Sequence, residues 1–324
     1  MKTLTAQEFK ELIKKDPSWC QTITESTTIT DYCDLVASWI THLSPLLIFA
    51  GKNEDGWAAN FFECKELKKA EGTFLGKVVF SRSGIEEIGK LEISKPGLNG
   101  GAADFVQCEN LKAARGKFAG YVDFAQSGIK KTEGLEITAA NDEGNAANFL
   151  RCENLKTATG TYPGFVSFSE ARITTITSLT VQPNKEGCAA NFGSCPELEV
   201  ATGTYPGCVT FLKSGIKRIE NLNVTAHDTD GWAADLSQCP NLEIATGTFH
   251  GFVSFEQNPK LRAIQDLNIG GDDTILGKFL KCPNLKTGPK YLLKKDYILD
   301  PELRNAILRK EATKRLRTQN DITL

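Results

Sequence analysis

The chain has 324 residues, 40% of them apolar and 24% charged, and a formal net charge of -2. That balance fits a well-packed soluble protein and excludes a global basicity that would draw it to nucleic acid or an anionic membrane. No apolar run approaches the roughly 20 residues that a membrane-spanning helix needs.

Residues 3–16 are predicted to form an amphipathic helix inside an N-terminal helical cap, residues 1–19. Thr5 and Glu8 have capping-box spacing, and Phe9, Leu12 and Ile13 form the apolar stripe. The stretch lacks the apolar centre of a signal peptide. The expected location is the cytoplasm, with export by a signal-less secretion system as the other route.

From residue 20 the chain repeats itself. Cys20, Cys64, Cys108, Cys152, Cys195, Cys239 and Cys282 follow one another at intervals of 44, 44, 44, 43, 44 and 43 residues. Around each runs C-x-x-L-x-x-A-x-G-x-[F/Y]-x-G-x-V-x-F, then I-x-x-I-x-x-L-x-I, then a polar stretch and G-x-A-A-[N/D]-[F/L]-x-x-C. The segments "CENLKTATGTYPGFVSF" and "CPELEVATGTYPGCVTF" show how close the copies are. Fixed self-similarity of this kind is the mark of repeat architecture.

Each unit holds two half-units that fit an L-x-x-L-x-L frame. Leu67, Ala70 and Gly72 open the first, and Ile88, Leu91 and Ile93 carry the second. Apolar residues point inward and the intervening ones outward, as period-2 strands require. Ala102 and Ala103 are good helix formers, so G-x-A-A-[N/D]-F is predicted to be a short helix. Phe105 and Cys108 would share its buried face. The extra G-x-V-x-F (Gly164, Val166, Phe168) suggests a second strand on the opposite side.

The motif A-[N/D]-F-x-x-C-x-x-L, as in Phe149, Cys152 and Leu155 or Phe192, Cys195 and Leu198, resembles the bacterial BspA-like branch of the leucine-rich repeat family. The resemblance covers roughly residues 20–288 and implies a leucine-rich-repeat-like solenoid. The expected fold class is therefore α/β with β dominant, with roughly 12 coils of about 21–23 residues and a helical cap at each end. It also implies protein recognition by the exposed strand face and no enzymatic activity. Alternating period, and Ala and Gly in the first strand, depart from that family's pattern.

Residues 289–324 form the expected C-terminal cap. Asp300-Pro301 is a helix start, and Leu303, Ile307 and Leu308 give a stripe. Arg304, Arg309, Lys310, Lys314, Arg315 and Arg317 outnumber Glu302 and Glu311, so the helix is basic. A cap with a solvated outer face, a docking helix and a nucleic-acid contact are the readings, the last the weakest.

No catalytic motif is present, and none of His42, His227 and His250 is read as catalytic; His250 reads as a surface-loop residue. The ruler cysteines read as a ladder of small buried thiols, and Cys33, Cys188 and Cys208 as isolated ones. Asp55, Asp142 and Asp230, in polar loops, lack calcium-loop spacing and read as turn and N-cap residues. No cofactor, metal or small-molecule substrate is expected.

The outward strand face remains as the candidate surface. It runs from charged residues to Thr159, Thr161, Thr180, Thr202, Thr204, Asn221, Asn223, Thr246, Thr248 and Asn268. These are the expected contacts of a non-catalytic scaffold for an unidentified protein partner. A self-assembling structural protein is the alternative, and a bacterial effector acting through its basic C-terminal helix a further one.

Overall fold

A computed structural model describes residues 1–270, 277–285 and 297–299, together with 301, 304, 305 and 307–309. Among the described residues the chain is mostly β-strand in parallel sheets, with few helices and no closed barrel. It divides into two compact units. Unit 1 comprises Met1–Ile173 with Thr177–Lys185, and unit 2 comprises Thr174–Ile176 with Glu186–Leu324.

In each unit the chain alternates between two parallel ladders. The front ladder of unit 1 runs from Lys2–Leu4 through Thr27–Ile29, Leu47–Phe49, Lys69–Phe74, Glu87–Ile93 and Ala113–Phe118 to Leu135–Ile137. Its back ladder takes the strands between, including Trp57–Asn60, Lys77–Val79, Gly101–Asp104 and Tyr121–Asp123. In unit 2, Arg218–Val224, Ile244–His250 and Ala263–Gly270 form the front. Cys188–Asn191, Cys208–Thr210, Trp232–Asp235 and Phe252–Ser254 stand on the back.

The helix expected at G-x-A-A-[N/D]-F is instead a back strand, Gly101–Asp104 and its counterparts Asn145–Asn148, Cys188–Asn191 and Trp232–Asp235. Four residues barely make one helical turn, whose nucleation is costly. As a strand, the same backbone pairs with coils on both sides. The two alanines also have a strand explanation. A register shift falls between Tyr121 and Val122, which pair with Gly101 and Ala103. The extra residue of such a bulge turns inward with its neighbour. Both Ala102 and Ala103 are therefore buried, and methyl groups fill the space. The strand suggested at G-x-V-x-F is present, as Phe165–Ser167.

Front-strand register corrects the coil lengths. Ala70 pairs with Ile88 and Ile88 with Ala114, steps of 18 and 26 residues, and past the bulge Phe74 pairs with Ile93 and Ile93 with Phe118, steps of 19 and 25, rather than 21 and 23. The I-x-x-L half carries one residue more than A-x-G, and a register shift between Ala70 and Gly72 absorbs it.

In unit 1 both kinds of coil leave the back strand through a buried aromatic residue. In unit 1, Phe61, Phe80, Phe105, Phe124, Phe149 and Phe168 stack face to face at 5.1–5.2 Å. Front-ladder aromatics meet this column edge-on, as Phe118 does Phe105 at 6.3 Å. The ruler cysteine follows at the corner. Cys108 Sγ donates to the Phe80 carbonyl at 3.1 Å, and Cys152 Sγ to that of Phe124 at 3.1 Å. A small buried donor is what that carbonyl requires. Burial pushes the Cys108 thiol up to about 12 and the Cys152 thiol up to about 11.

The polar loops serve as turns, and Asp55, Asp142 and Asp230 lie in them as expected, but other residues make the side-chain bonds that hold the corner. Asn53, Asn141 and Asp228 accept the backbone N–H groups of Trp57, Asn145 and Trp232 at 2.8 Å. Asp55, Asp142 and Asp230 do not hold that position, and the segments that follow are strands, so there is no helix to cap. Gly144, at φ 86°, takes the left-handed corner. His250 ends a strand rather than lying in a loop.

The N-terminal helix spans Ala6–Lys15 with its capping box formed by Thr5 and Glu8. Phe9 packs edge-on against Phe49 at 5.7 Å. At the other end, residues 301, 304, 305 and 307–309 are helical, with Ile307 buried and Leu308 exposed. Asp300, Glu302, Leu303 and Lys310 onward, with the remaining basic residues, lie outside the described residues. No helix among those described is long and apolar enough to cross a membrane.

Candidate functional site

All ten expected contact residues stand clear of the core. Thr159 and Thr161 lie in Thr157–Thr161, and Thr180 closes Thr175–Thr180, all three in unit 1. The seven others belong to unit 2, where register brings four into one line. Thr204 is opposite Asn223, Asn223 opposite Thr248, and Thr248 opposite Asn268. Parallel strands repeat at about 4.8 Å, so hydroxyl and amide groups alternate along the row at that spacing. Among the described residues, the side chains of Thr204, Asn223 and Thr248 make no hydrogen bond of their own.

Asn221 and Thr246 are used differently. A bulge between Ile219 and Leu222 places Asn221 at φ 51°. Its backbone N–H donates to Thr246 Oγ1 at 2.9 Å, and that hydroxyl donates to the Ile219 carbonyl at 3.1 Å. Thr246 therefore ties down the bulge. Thr202 falls between the short strands Val200–Ala201 and Thr204–Tyr205, with its carbonyl accepting the Tyr205 hydroxyl at 3.3 Å.

The matching row of unit 1 is Thr73, Glu92, Lys117 and Glu136. Lys117 Nζ lies 3.6 Å from Glu136, and neighbouring Lys69 and Glu71 pair at 3.2 Å.

A second cluster was not expected. Cys188 and Cys208 are not isolated thiols, because they face each other across adjacent back strands of unit 2. With Asp228 they offer two sulfurs and a carboxylate oxygen within 4.8 Å of one another. Cys188 accepts a hydrogen bond from Cys208, which draws its thiol below the ordinary value against burial and the acidic Asp228, Glu186 and Asp230. That bond, then burial, then Asp228 push the Cys208 thiol up. Aligned repeats carry a trace of the cluster, since "GCAAN" and "GCVTF" put cysteine where other copies have Trp, Gly, Asn, Lys, Tyr or Phe. Its meaning needed the register.

Compared with known proteins, the chain matches no family model, no curated protein and no solved structure.

Proposed function

We propose that the chain is a non-catalytic repeat solenoid that binds a protein partner through the outer face of its front ladder in unit 2. The observation that carries this reading is the row Thr204, Asn223, Thr248 and Asn268. It offers regularly spaced, uncharged hydrogen-bonding groups that intramolecular bonds leave available. Buried polar contacts of this kind give an interface its register and specificity. The leucine-rich-repeat kinship belongs to the same proposal for the front strand and its F-x-x-C-x-x-L corner. Ten free cysteines suit the reducing cytoplasm that we assign to it.

The test is crosslinking in cells, with wild type compared against a Thr204→Lys, Asn223→Lys, Thr248→Lys variant and against Glu92→Lys on unit 1. The expected result is one partner lost from the triple variant and kept by Glu92→Lys. Equal capture by all three, or no partner for wild type, would sink the proposal. Light scattering that rises with concentration for wild type and not for the triple variant would instead identify self-association.

A further inference from the structure

We propose that Cys188, Cys208 and Asp228 form a binding site on the back ladder of unit 2 for a soft divalent cation of the zinc type. The donor set is two thiolates and one carboxylate, with solvent in the fourth position. The site is independent of the front-face reading.

Three observations carry it. The first is geometric. Zinc holds sulfur at about 2.3 Å and carboxylate oxygen at about 2.0–2.2 Å in a tetrahedron, which separates its ligands by about 3.5–3.8 Å. The three donor atoms already lie within 4.8 Å of one another, so rotation of the side chains closes the set. Thiolates select zinc-like ions over magnesium or calcium, which prefer oxygen alone.

The second is how the carboxylate is held. Asp228 Oδ1 accepts the N–H groups of Asp230 at 2.9 Å and Trp232 at 2.8 Å. Those bonds orient the side chain and leave Oδ2 for the sulfurs. Outer contacts of this kind orient metal ligands. Glu186 and Asp230 add negative charge around Cys188, a field that favours a cation.

The third is comparison with the other coils. The same register position is occupied by Trp57–Lys77, Gly101–Tyr121, Asn145–Phe165 and Trp232–Phe252. Those pairs pack. Lys77 sits 5.1 Å from the Trp57 ring centroid, and Trp232 meets Phe252 at 4.5 Å. In unit 1 the position of Asp228 is taken by Asn184, whose Nδ2 lies 3.5 Å from Asn145 Oδ1. The scaffold therefore builds the same three-residue corner from Asn, Phe and Asn, and among the described corners only the 188, 208 and 228 positions carry two sulfurs and a charge.

Binding releases the protons of both thiols to solvent as the two metal–sulfur bonds form. The experiment is titration of the reduced full-length chain with Co2+ in place of zinc. The expected result is a sulfur-to-cobalt charge-transfer band that saturates at one ion per chain and disappears when Zn2+ is added. Asp228→Asn should weaken binding by about tenfold or more. Cys188→Asn combined with Cys208→Phe, which copies the folded Asn145–Phe165 pair, should abolish the band while far-ultraviolet circular dichroism is unchanged. Cys152→Ser, at a buried corner thiol, should keep it. A reduced wild type that gives no thiolate band overturns the proposal, as does a band that survives the double variant. So does a pair that forms a disulfide in air and binds no Co2+ when reduced.

Discussion

In unit 1 the outward row of the front ladder reads Thr73, Glu92, Lys117 and Glu136, and in unit 2 the matching row reads Thr204, Asn223, Thr248 and Asn268. Behind these rows the interiors are alike. Unit 1 stacks six phenylalanines in a column, and unit 2 continues the pattern with Phe192 on Phe211 at 5.1 Å and Phe255 on Phe279 at 5.0 Å. One rung of unit 2, Leu236, is aliphatic and still fully buried. The difference shows where coil stacking constrains the sequence. Each inward residue lies between copies of itself and must match them in shape. Each outward residue need only avoid a like charge beside it. Unit 1 meets that condition by alternating Glu92, Lys117 and Glu136, whereas unit 2 meets it by carrying no charge in the row.

The largest expected effect tests the shared interior. Phe124 lies between Phe105 and Phe149, 5.2 Å from each, and is fully buried. Phe124→Ala should cost about 3–5 kcal/mol in urea denaturation. Phe124→Leu copies the Leu236 rung and should cost less than about 1.5 kcal/mol. If leucine costs as much as alanine, the column needs stacked rings and unit 2 is the weaker half for want of one.

A smaller effect separates the back ladders. Asp123 in unit 1 accepts from the Tyr121 hydroxyl at 3.2 Å, Asn148 Nδ2 at 3.1 Å and the Ala125 N–H at 2.9 Å. Its unit 2 counterparts Thr210 and Ser254 are neutral. Burial, with Asp104 nearby, pushes the Asp123 carboxyl up. The folded chain therefore takes up this proton more readily than the unfolded chain does. The stability it contributes is fully present below the ordinary carboxylate range and is lost as pH rises through the raised value. Asp123→Asn keeps an acceptor and removes the charge. It should raise the thermal midpoint at pH 7 by about 1–3 °C, with the gain fading as pH falls through the carboxylate range. A gain that grows on acidification would show that the carboxylate is instead favoured by its three donors.

Much of this interior could be read from the repeat. Alternation placed Ala70, Ile88, Leu91 and Ile93 inside and the Thr and Asn residues outside, and all are so found. Phe105 and Cys108 are buried as expected, although through a strand and a corner instead of a helix. Alanine misled at Ala102 and Ala103 because its helix propensity is high, while the bulge that needs two methyl groups comes from pairing with a strand 20 residues away. Register hid the cation site in the same way. Cys188 and Cys208 sit on different coils, and Asp228 on a third, so only stacking brings them together. The unequal steps, 18 and 26 residues before the bulge and 19 and 25 after it, escaped because that bulge shifts one half-frame against the other.

The smallest effect returns to the two rows. Lys117 separates Glu92 from Glu136 and is more than half exposed. Lys117→Glu would set three carboxylates side by side at about 4.8 Å. Like charges directly across a sheet destabilise by roughly 0.2–1 kcal/mol, and exposure keeps the cost near the lower end. Thr248→Glu introduces the same side chain between Asn223 and Asn268, where no charge opposes it. Urea midpoints measured at low salt should fall for Lys117→Glu and stay within error for Thr248→Glu. At 1 M salt, where screening acts within about 3 Å, the two should coincide. Equal losses at low salt would mean that packing, not charge alternation, sets what unit 1 can display, and the contrast between the two faces would then have to be explained by what each one binds.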